Sequence, residues 1–343
     1  MQLKQSLIIA VILGIATVTG WELYWRSQGM QPNLYDNKNL WANQRAKLEN
    51  DTSNMTVFIG SSRILYDIQL DIWRELTDTE PIMLAVQGAS PIPTFKDIVE
   101  NTDFSGTLMV GITPPLTFST VFPKAPPITR SQSKVDYYKK RTYAQRINHR
   151  LAVPLQTNLA FIRDGDEEWD SDVDLKTLLK QIHIGERNGP PPVPFNNFEE
   201  ITEDRHMKMP AYVTNDTVYA NTIKAAWKDM ILSNDMPPPD KEGTTAAFLE
   251  LLEKFKQRGG NLILVRCPSS GFFKNVEAKG FPRKDFWNPL VEKAKVKAYH
   301  YDDYSQFRNL NLPEWSHLAL EDAQFFTKEL IAILKNDNVL TTN

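Results

Sequence analysis

The segment Met55-Thr56-Val57-Phe58-Ile59-Gly60-Ser61-Ser62-Arg63 sets the expected architecture. Five residues typical of a buried strand run directly into a glycine turn that presents serine. Similar strand-like segments recur at 81–86, 107–110, 261–265 and 297–301, with helical patterns at 64–76, 94–99, 244–257, 284–294 and 319–334. This alternation predicts an α/β fold, with a flavodoxin-like parallel sheet of about five strands and helices on both faces.

The composition is that of an ordinary globular protein. The chain has 343 residues, 41% of them hydrophobic and 24% charged, and a net charge of −3. This charge gives no electrostatic reason to expect nucleic acid as a partner. The single cysteine, Cys267, excludes an internal disulfide and a cysteine-rich metal site. The histidines show no metal-binding spacing, and no phosphate-binding glycine loop occurs, so we expect neither a metal nor a cofactor.

The N-terminus carries the only targeting signal. Lys4 precedes an uncharged apolar run that ends in an aromatic group at 21–25. This pattern predicts a membrane anchor over residues 1–26, with a cleaved signal peptide and a buried soluble helix as alternatives. Residues 27–54 are polar and are expected to form a stalk. The remaining residues, 55–340, are expected to form the α/β domain.

A long segment interrupts that domain at about 114–212. It contains proline clusters, a basic run at 137–150, an acidic run at 164–174 and helical patterns at 135–152 and 175–182. Such an insertion is either a lid or binding element, or a surface excursion. The basic run is a candidate to contact anionic glycan or lipid headgroups, or it is a solvated helix face. The acidic run favours a solvated loop over a calcium site.

Polar groups that can perform acyl transfer follow the predicted strands. Ser62, Gly88 and Thr113 come just after the first, second and third strands, where reactive groups gather in a parallel sheet. Glu314 and His317 stand three residues apart before the last helix. Together these residues can supply a nucleophile, a base, an orienting acid and donors to an oxyanion.

Each of these residues also has a structural explanation. Ser62 is a candidate cap for a helix that starts at Ile64, and His317 a candidate structural residue before the last helix. Asp302 or Asp303 can replace Glu314 as the orienting acid. Two arginines are candidates either to bind an anionic substrate group or to form structural ion pairs; they are Arg63 and Arg266.

These short segments together resemble the SGNH (GDSL-type) hydrolase superfamily over about 55–120 and 245–335. Gly60-Ser61-Ser62 matches the first block, with serine in place of aspartate, and this match assigns the nucleophile to Ser62. Gly88 matches the glycine of the second block. The third block lacks its asparagine, and Gly111-Ile112-Thr113-Pro114 offers only the Thr113 hydroxyl. Glu314-Trp315-Ser316-His317 matches the last block, with glutamate for aspartate, in the form seen in membrane-anchored bacterial envelope-polysaccharide members.

The resemblance implies an acyl-serine mechanism in which His317 is the base and Glu314 its partner. The oxyanion would be held by the N–H groups of Ser62 and Gly88, helped by Thr113. It implies a serine esterase or O-acetyltransferase acting on acylated sugar or on envelope or exported polysaccharide, outside the bacterial cytoplasmic membrane. A single N-terminal helix would anchor it, with the main domain periplasmic or extracellular, and a membrane acyltransferase complex is a candidate partner. The alternative is a non-catalytic SGNH-fold protein that binds glycan or assists a polysaccharide export or modification complex.

Overall fold

The computed structural model describes residues 2–49, 54–118, 124–162, 199–233 and 238–340. The chain divides into two units. The first contains residues 1–39 and 141–191, and the second contains residues 40–140 and 192–343. The predicted helix at 175–182 and the acidic run at 164–174 lie outside the described residues.

Five parallel strands form the sheet of the second unit, in the order β2-β1-β3-β6-β7. This order is that of a flavodoxin-like sheet, so the predicted fold class is confirmed. The strands are β1 (Met55–Ile59), β2 (Glu80–Met83), β3 (Thr107–Gly111), β6 (Asn261–Arg266) and β7 (Lys297–His300). A separate antiparallel pair is formed by β4 (Glu200–Ile201) and β5 (Met207–Lys208).

Helices cover both faces of the sheet because alternate strand residues point to opposite sides. Val57 and Ile59 lie in a core cluster with Phe95 and Phe248, whereas Phe58 packs on Trp73 at a ring-centroid distance of 4.8 Å. The helices of this unit are α2 (Lys38–Ala46), α3 (Ser62–Asp67), α4 (Leu70–Leu76), α5 (Ile92–Asn101), α6 (Pro114–Thr117), α7 (Pro126–Lys140), α9 (Ala211–Asn215), α10 (Thr217–Ser233), α11 (Lys241–Gln257), α12 (Gly271–Gly280), α13 (Trp287–Ala294) and α14 (Leu320–Asn336).

Gly60 makes the turn after β1 sterically feasible. Its φ is +146°, and an added Cβ would lie 2.8 Å from the Gly111 carbonyl oxygen at the end of β3. Any side chain at position 60 would therefore push the two strand ends apart. These adjacent ends lie where the strand order reverses, which is the usual place for a site in an open α/β sheet.

Two long predicted helices are each broken in the structure. The pattern at 64–76 forms α3 and α4, because Ile68 and Gln69 are extended and the Gln69 N–H donates to the Thr327 hydroxyl at 2.9 Å. The pattern at 135–152 is divided between α7 and α8 (Tyr143–Gln156). The two helices are separate because Thr142 forms a capping box with Gln145, which starts a new helix at Tyr143.

Parts of the expected stalk and insertion belong to the core of the second unit. In α2, Trp41 is fully buried and donates its indole N–H to the Leu84 carbonyl at 3.0 Å. In the loop between β4 and β5, buried Arg205 donates to the Met83 and Ala85 carbonyls, both at 2.8 Å. This arginine provides donors to two backbone oxygens, one in the edge strand β2 and one just after it.

The first unit contains α1 (Gln2–Ser27) and α8. Residues 3–27 are long and apolar enough to cross a membrane, with a mean hydropathy of 1.9, and none of the most apolar window is buried. The loop after α8 is bonded to the end of α1: Arg26 donates to the Asn158 carbonyl at 3.0 Å, and Glu22 accepts the Ala160 N–H at 3.0 Å.

Candidate active site

Ser61 and Ser62 follow the Gly60 turn but have different environments. Ser61 is the N-cap residue of α3, is 1% exposed, and shares a hydrogen bond of 2.7 Å with the Thr113 hydroxyl. Ser62 is the first residue of the helix and is only partly buried. The helix therefore starts at Ser62, so the expectation that Ser62 caps a helix beginning at Ile64 is wrong. Of the two serines, Ser62 is the more exposed residue.

Glu314 and His317 form a buried acid–imidazole pair. Glu314 is fully buried and His317 is 1% exposed. The Glu314 Oε1 lies 2.9 Å from His317 Nδ1 and also accepts the backbone N–H groups of His317 at 2.6 Å and Ser316 at 3.2 Å. These bonds hold the intervening Trp315 at a φ of +76°, a left-handed conformation that costs a non-glycine residue about 1–2 kcal/mol.

A residue outside the sequence motifs completes the surroundings of this carboxylate. The indole N–H of Trp227, on α10, donates to Glu314 Oε2 at 2.5 Å. Trp227 packs edge-on against Phe273 of α12, with ring centroids 5.8 Å apart. Both oxygens of Glu314 are thus hydrogen-bonded, and the carboxylate has a fixed orientation toward the imidazole.

The same contacts determine the protonation of Glu314. Burial raises the pKa of this carboxyl, but the charge of His317 and the hydrogen bonds from His317 and Trp227 lower it further, so that the pKa lies below its ordinary value. Glu314 is therefore ionised near neutral pH, as an acid that orients an imidazole and stabilises its cation must be.

Residues 316–318 run alongside helix α3, and three successive contacts fix this alignment. Arg63 Nε lies 3.4 Å from Ser316 Oγ, the Tyr66 ring stacks on the His317 ring at 4.3 Å, and the Leu318 N–H donates to Asp67 Oδ1 at 3.0 Å.

This alignment relates Ser62 to His317. Ser62 and Tyr66 are four residues apart, so they lie on the same face of α3 with Cβ atoms about 5–6 Å apart. Tyr66 stacks directly on His317, so the imidazole lies against the face of α3 that Tyr66 occupies. The fold thus brings the histidine before the last helix against the helix that the serine after the first strand begins.

The predicted oxyanion donors lie beside the same strand ends. The Val86 N–H donates to the Gly60 carbonyl at 3.0 Å, which brings the turn containing Gly88 alongside the Ser62 turn. Gly88 has a φ of +59°, and an added Cβ would meet Arg130 at 2.8 Å. Thr113 is 6% exposed, and its hydroxyl is engaged with Ser61.

Arg63 and Arg266 share the carboxylate of Glu277. Arg63 lies 2.5 Å from Glu277 Oε1, and Arg266 pairs with Oε2, which also accepts the Ser269 hydroxyl at 2.8 Å. All three charged groups are buried. Burial raises the pKa of Glu277, but the two guanidinium groups outweigh it and lower the pKa to about 2. This geometry favours the structural ion pair over substrate binding by either arginine.

Asp302 and Asp303 have partners other than His317. Asp302 lies 3.3 Å from Lys274, and Asp303 forms a bidentate pair with Arg283 at 2.6 and 2.7 Å. Asp302 is partly exposed and Asp303 is exposed. Glu314, and not either of these aspartates, therefore contacts the imidazole in the structure.

Sequence reasoning missed several residues around the site. Tyr66 carried a signal, because it lies four residues after Ser62 in a helical pattern. Trp227 carried none, since its helix is distant in the sequence. Glu199 also approaches: its Oε2 accepts the Gln87 amide at 2.6 Å and the Tyr66 hydroxyl at 3.3 Å. Within the described ranges, no group of three or more histidine, cysteine or acidic side chains could hold a metal ion.

Comparisons with known proteins add little to this geometry. No protein-family model and no curated protein sequence matches the chain. Among solved structures, the chain is similar to a Bacteroides fragilis protein with the provisional description acylhydrolase. The two are 12% identical with a TM-score of 0.39, and the match covers 89% of this chain and 99% of the other. At that level of similarity, the case for function depends on the site residues themselves.

Proposed function

We propose that this protein is a serine acyl-transfer enzyme, either an esterase or an O-acetyltransferase. The observation that carries the proposal is the buried Glu314–His317 pair, whose imidazole stacks on the helix that Ser62 begins. A fully hydrogen-bonded carboxylate on Nδ1 leaves Nε2 as the nitrogen that can accept a proton from a serine hydroxyl.

In the proposed reaction, His317 takes the Ser62 proton while Oγ attacks the ester carbonyl carbon. The carbonyl π electrons move to oxygen, and the N–H groups of Ser62 and Gly88 stabilise that oxyanion. Collapse of the tetrahedral intermediate breaks the bond to the leaving alcohol, which receives the proton from His317. Water or a sugar hydroxyl then attacks the acyl-serine by the same steps in reverse, releasing an acid or an acylated sugar.

The proposed setting is the outer side of the bacterial cytoplasmic membrane. The length and apolar character of α1 support an anchor, and the resemblance to membrane-anchored envelope-polysaccharide enzymes supports an acylated sugar or an envelope or exported polysaccharide as substrate. A membrane acyltransferase complex is the partner that would supply acyl groups for a transferase.

A fluorophosphonate probe tests the nucleophile. We expect the wild-type protein to be labelled, Ser62→Ala to lose labelling, and Ser61→Ala to keep it. Ser61 is the matched control, because it has the same side chain one residue away but is buried on Thr113. Labelling that persists in Ser62→Ala would refute Ser62 as the nucleophile, provided that thermal melting shows all three proteins folded.

One observation favours a second candidate function. The third motif lacks its asparagine, and the hydroxyl that would replace the amide is buried and bonded to Ser61. A weakened oxyanion hole is compatible with a non-catalytic protein that uses the same fold to bind glycan or to assist an export or modification complex. A folded wild-type protein that reacts with no fluorophosphonate would favour this alternative.

A further inference from the structure

Helix α8 exposes an apolar stripe. Tyr143, Ile147, Leu151 and Leu155 are spaced four residues apart, so they lie along one face. Tyr143 is 72% exposed, Leu151 66% and Leu155 50%, while Ile147 is partly buried. A helix on the surface of a globular protein normally turns such a stripe toward the core.

The helix has a different side for protein contacts. His149, Val153 and Gln156 are buried, and by helical geometry they lie more than a right angle away from the centre of the apolar stripe. The helix is therefore packed through one side and presents its apolar side outward. The apolar stripe consequently needs another explanation than core packing.

The charges beside the stripe are all positive. Arg146 and Arg150 are exposed along one border of the apolar face, and the helix sequence contains no acidic residue. An apolar face bordered by arginines is the pattern of helices that lie in a membrane interface and contact anionic headgroups.

The position of α8 within its unit points to the same partner. The loop that follows α8 is hydrogen-bonded to Arg26 and Glu22, near the end of α1. That end of α1 carries three mutually packed aromatic rings, Trp21, Tyr24 and Trp25, with centroids 5.4–5.7 Å apart. Tryptophan and tyrosine concentrate at membrane–water interfaces, so this is the end of α1 expected at the headgroup level.

We propose that α8 lies flat in the membrane interface beside the end of α1. The stripe would be inserted about 5–10 Å into the boundary between headgroups and acyl chains. Arg146 and Arg150 would pair with anionic lipid headgroups at that depth. The proposal rests on α1 as a membrane span and is independent of the acyl-transfer chemistry.

Spin-label accessibility tests the orientation of α8 in the full-length protein. The protein is reconstituted into nanodiscs containing phosphatidylglycerol and phosphatidylcholine, with a nitroxide at Leu151→Cys or at Ala152→Cys. Cys267 is buried, and the unsubstituted protein measures any labelling at that position. We expect the label at 151 to be accessible to oxygen and shielded from a soluble nickel chelate, and the label at 152, about 100° around the helix, to show the reverse. Equal nickel accessibility at both positions would overturn the proposal.

Two further measurements separate lipid contact from other causes. Leu151→Glu combined with Leu155→Glu should raise the amide hydrogen-exchange rate of α8 in nanodiscs. The double substitution should not change the resistance of the protein to carbonate extraction, because that resistance depends on the anchoring of α1 in the membrane. Release of the wild-type protein from membranes by carbonate would overturn the proposal, because α1 would then not be a membrane span. A label at 151 that is shielded in nanodiscs from both nickel and oxygen would also overturn it, because protein, and not lipid, would then cover the stripe.

Discussion

Trp227→Phe removes one hydrogen bond from the candidate catalytic acid while keeping an aromatic ring in place. The lost bond is the 2.5 Å contact from the indole N–H to Glu314 Oε2. Because Glu314 is fully buried, water cannot readily replace that donor. Hydrogen bonds to charged groups contribute about 1.5–3 kcal/mol, so we expect the free energy of unfolding to fall by about that amount.

The same substitution should change the pH dependence of activity. The Trp227 N–H is one of the contacts that lower the pKa of Glu314, so its removal raises that pKa. A carboxyl whose pKa is lowered in the folded state stabilises the fold at pH values above its ordinary pKa. This contribution is lost as the pH falls through the folded-state pKa. In Trp227→Phe, the loss of activity on acidification should therefore begin at a higher pH. The acid-dependent loss of stability should still begin near the ordinary pKa of 4.5, but it should be smaller and end at a higher pH than in the wild type.

The assay is hydrolysis of a p-nitrophenyl ester, followed as kcat/KM against pH, with urea unfolding measured in parallel. If about 1–1.4 kcal/mol of the lost bond is felt in the transition state, kcat/KM at neutral pH falls roughly 5–10-fold. Trp41→Phe is the matched control, because it removes the indole donor to the Leu84 carbonyl, away from Glu314. It should lower stability and leave the pH profile unchanged. A profile for Trp227→Phe that coincides with that of Trp41→Phe would refute the positioning role.

Three further substitutions test the surroundings of the site. Glu277→Gln should destabilise the protein by about 3–5 kcal/mol, measured by urea unfolding, because it leaves Arg63 and Arg266 buried without their carboxylate. In the wild type, the stability that ionised Glu277 contributes should be lost as the pH falls from the ordinary pKa of 4.5 toward about 2. Asp67→Asn should become more stable than the wild type as the pH rises above 3.8. Burial raises the pKa of Asp67 well above that ordinary value, so ionisation of its carboxyl at higher pH opposes folding. A difference in unfolding free energy between the variant and the wild type that stays constant across several pH values would contradict this. Gly88→Ala should lower kcat by up to about 10² without unfolding the protein, because its φ of +59° strains a side chain and displaces the proposed oxyanion donor; an unchanged kcat would exclude that role.

The three central strands β1, β3 and β6 could be predicted from the sequence because they are short, mostly apolar and next to a glycine. The predicted strand at 55–59 coincides with β1, and the segments at 107–110 and 261–265 differ from β3 and β6 by one residue. Their adjacency followed from the rule that strand–helix alternation gives a parallel sheet. The breaks within 64–76 and 135–152 were missed, because they depend on tertiary bonds such as that from Gln69 to Thr327 and on one capping box.

The candidate site was only partly predictable. The spacing of the motifs and the family resemblance predicted Ser62, Glu314 and His317 as site residues, and the structure shows the Glu314–His317 contact. The sequence did not decide which acid orients His317, or whether Arg63 and Arg266 bind substrate or form ion pairs. Both answers depend on which charged groups the fold buries together. Trp227 could not be predicted from the sequence, because an indole donor has no characteristic motif and its helix lies far in the sequence from the Ser62 and His317 motifs.

A crystal structure of the protein after reaction with a fluorophosphonate tests the central claim most directly. Our account predicts phosphorus bonded to Ser62 Oγ, with His317 Nε2 within about 2.6–3.2 Å of that oxygen or of the bound phosphonyl group. An adduct on another residue, or an imidazole turned away from Ser62, would contradict it.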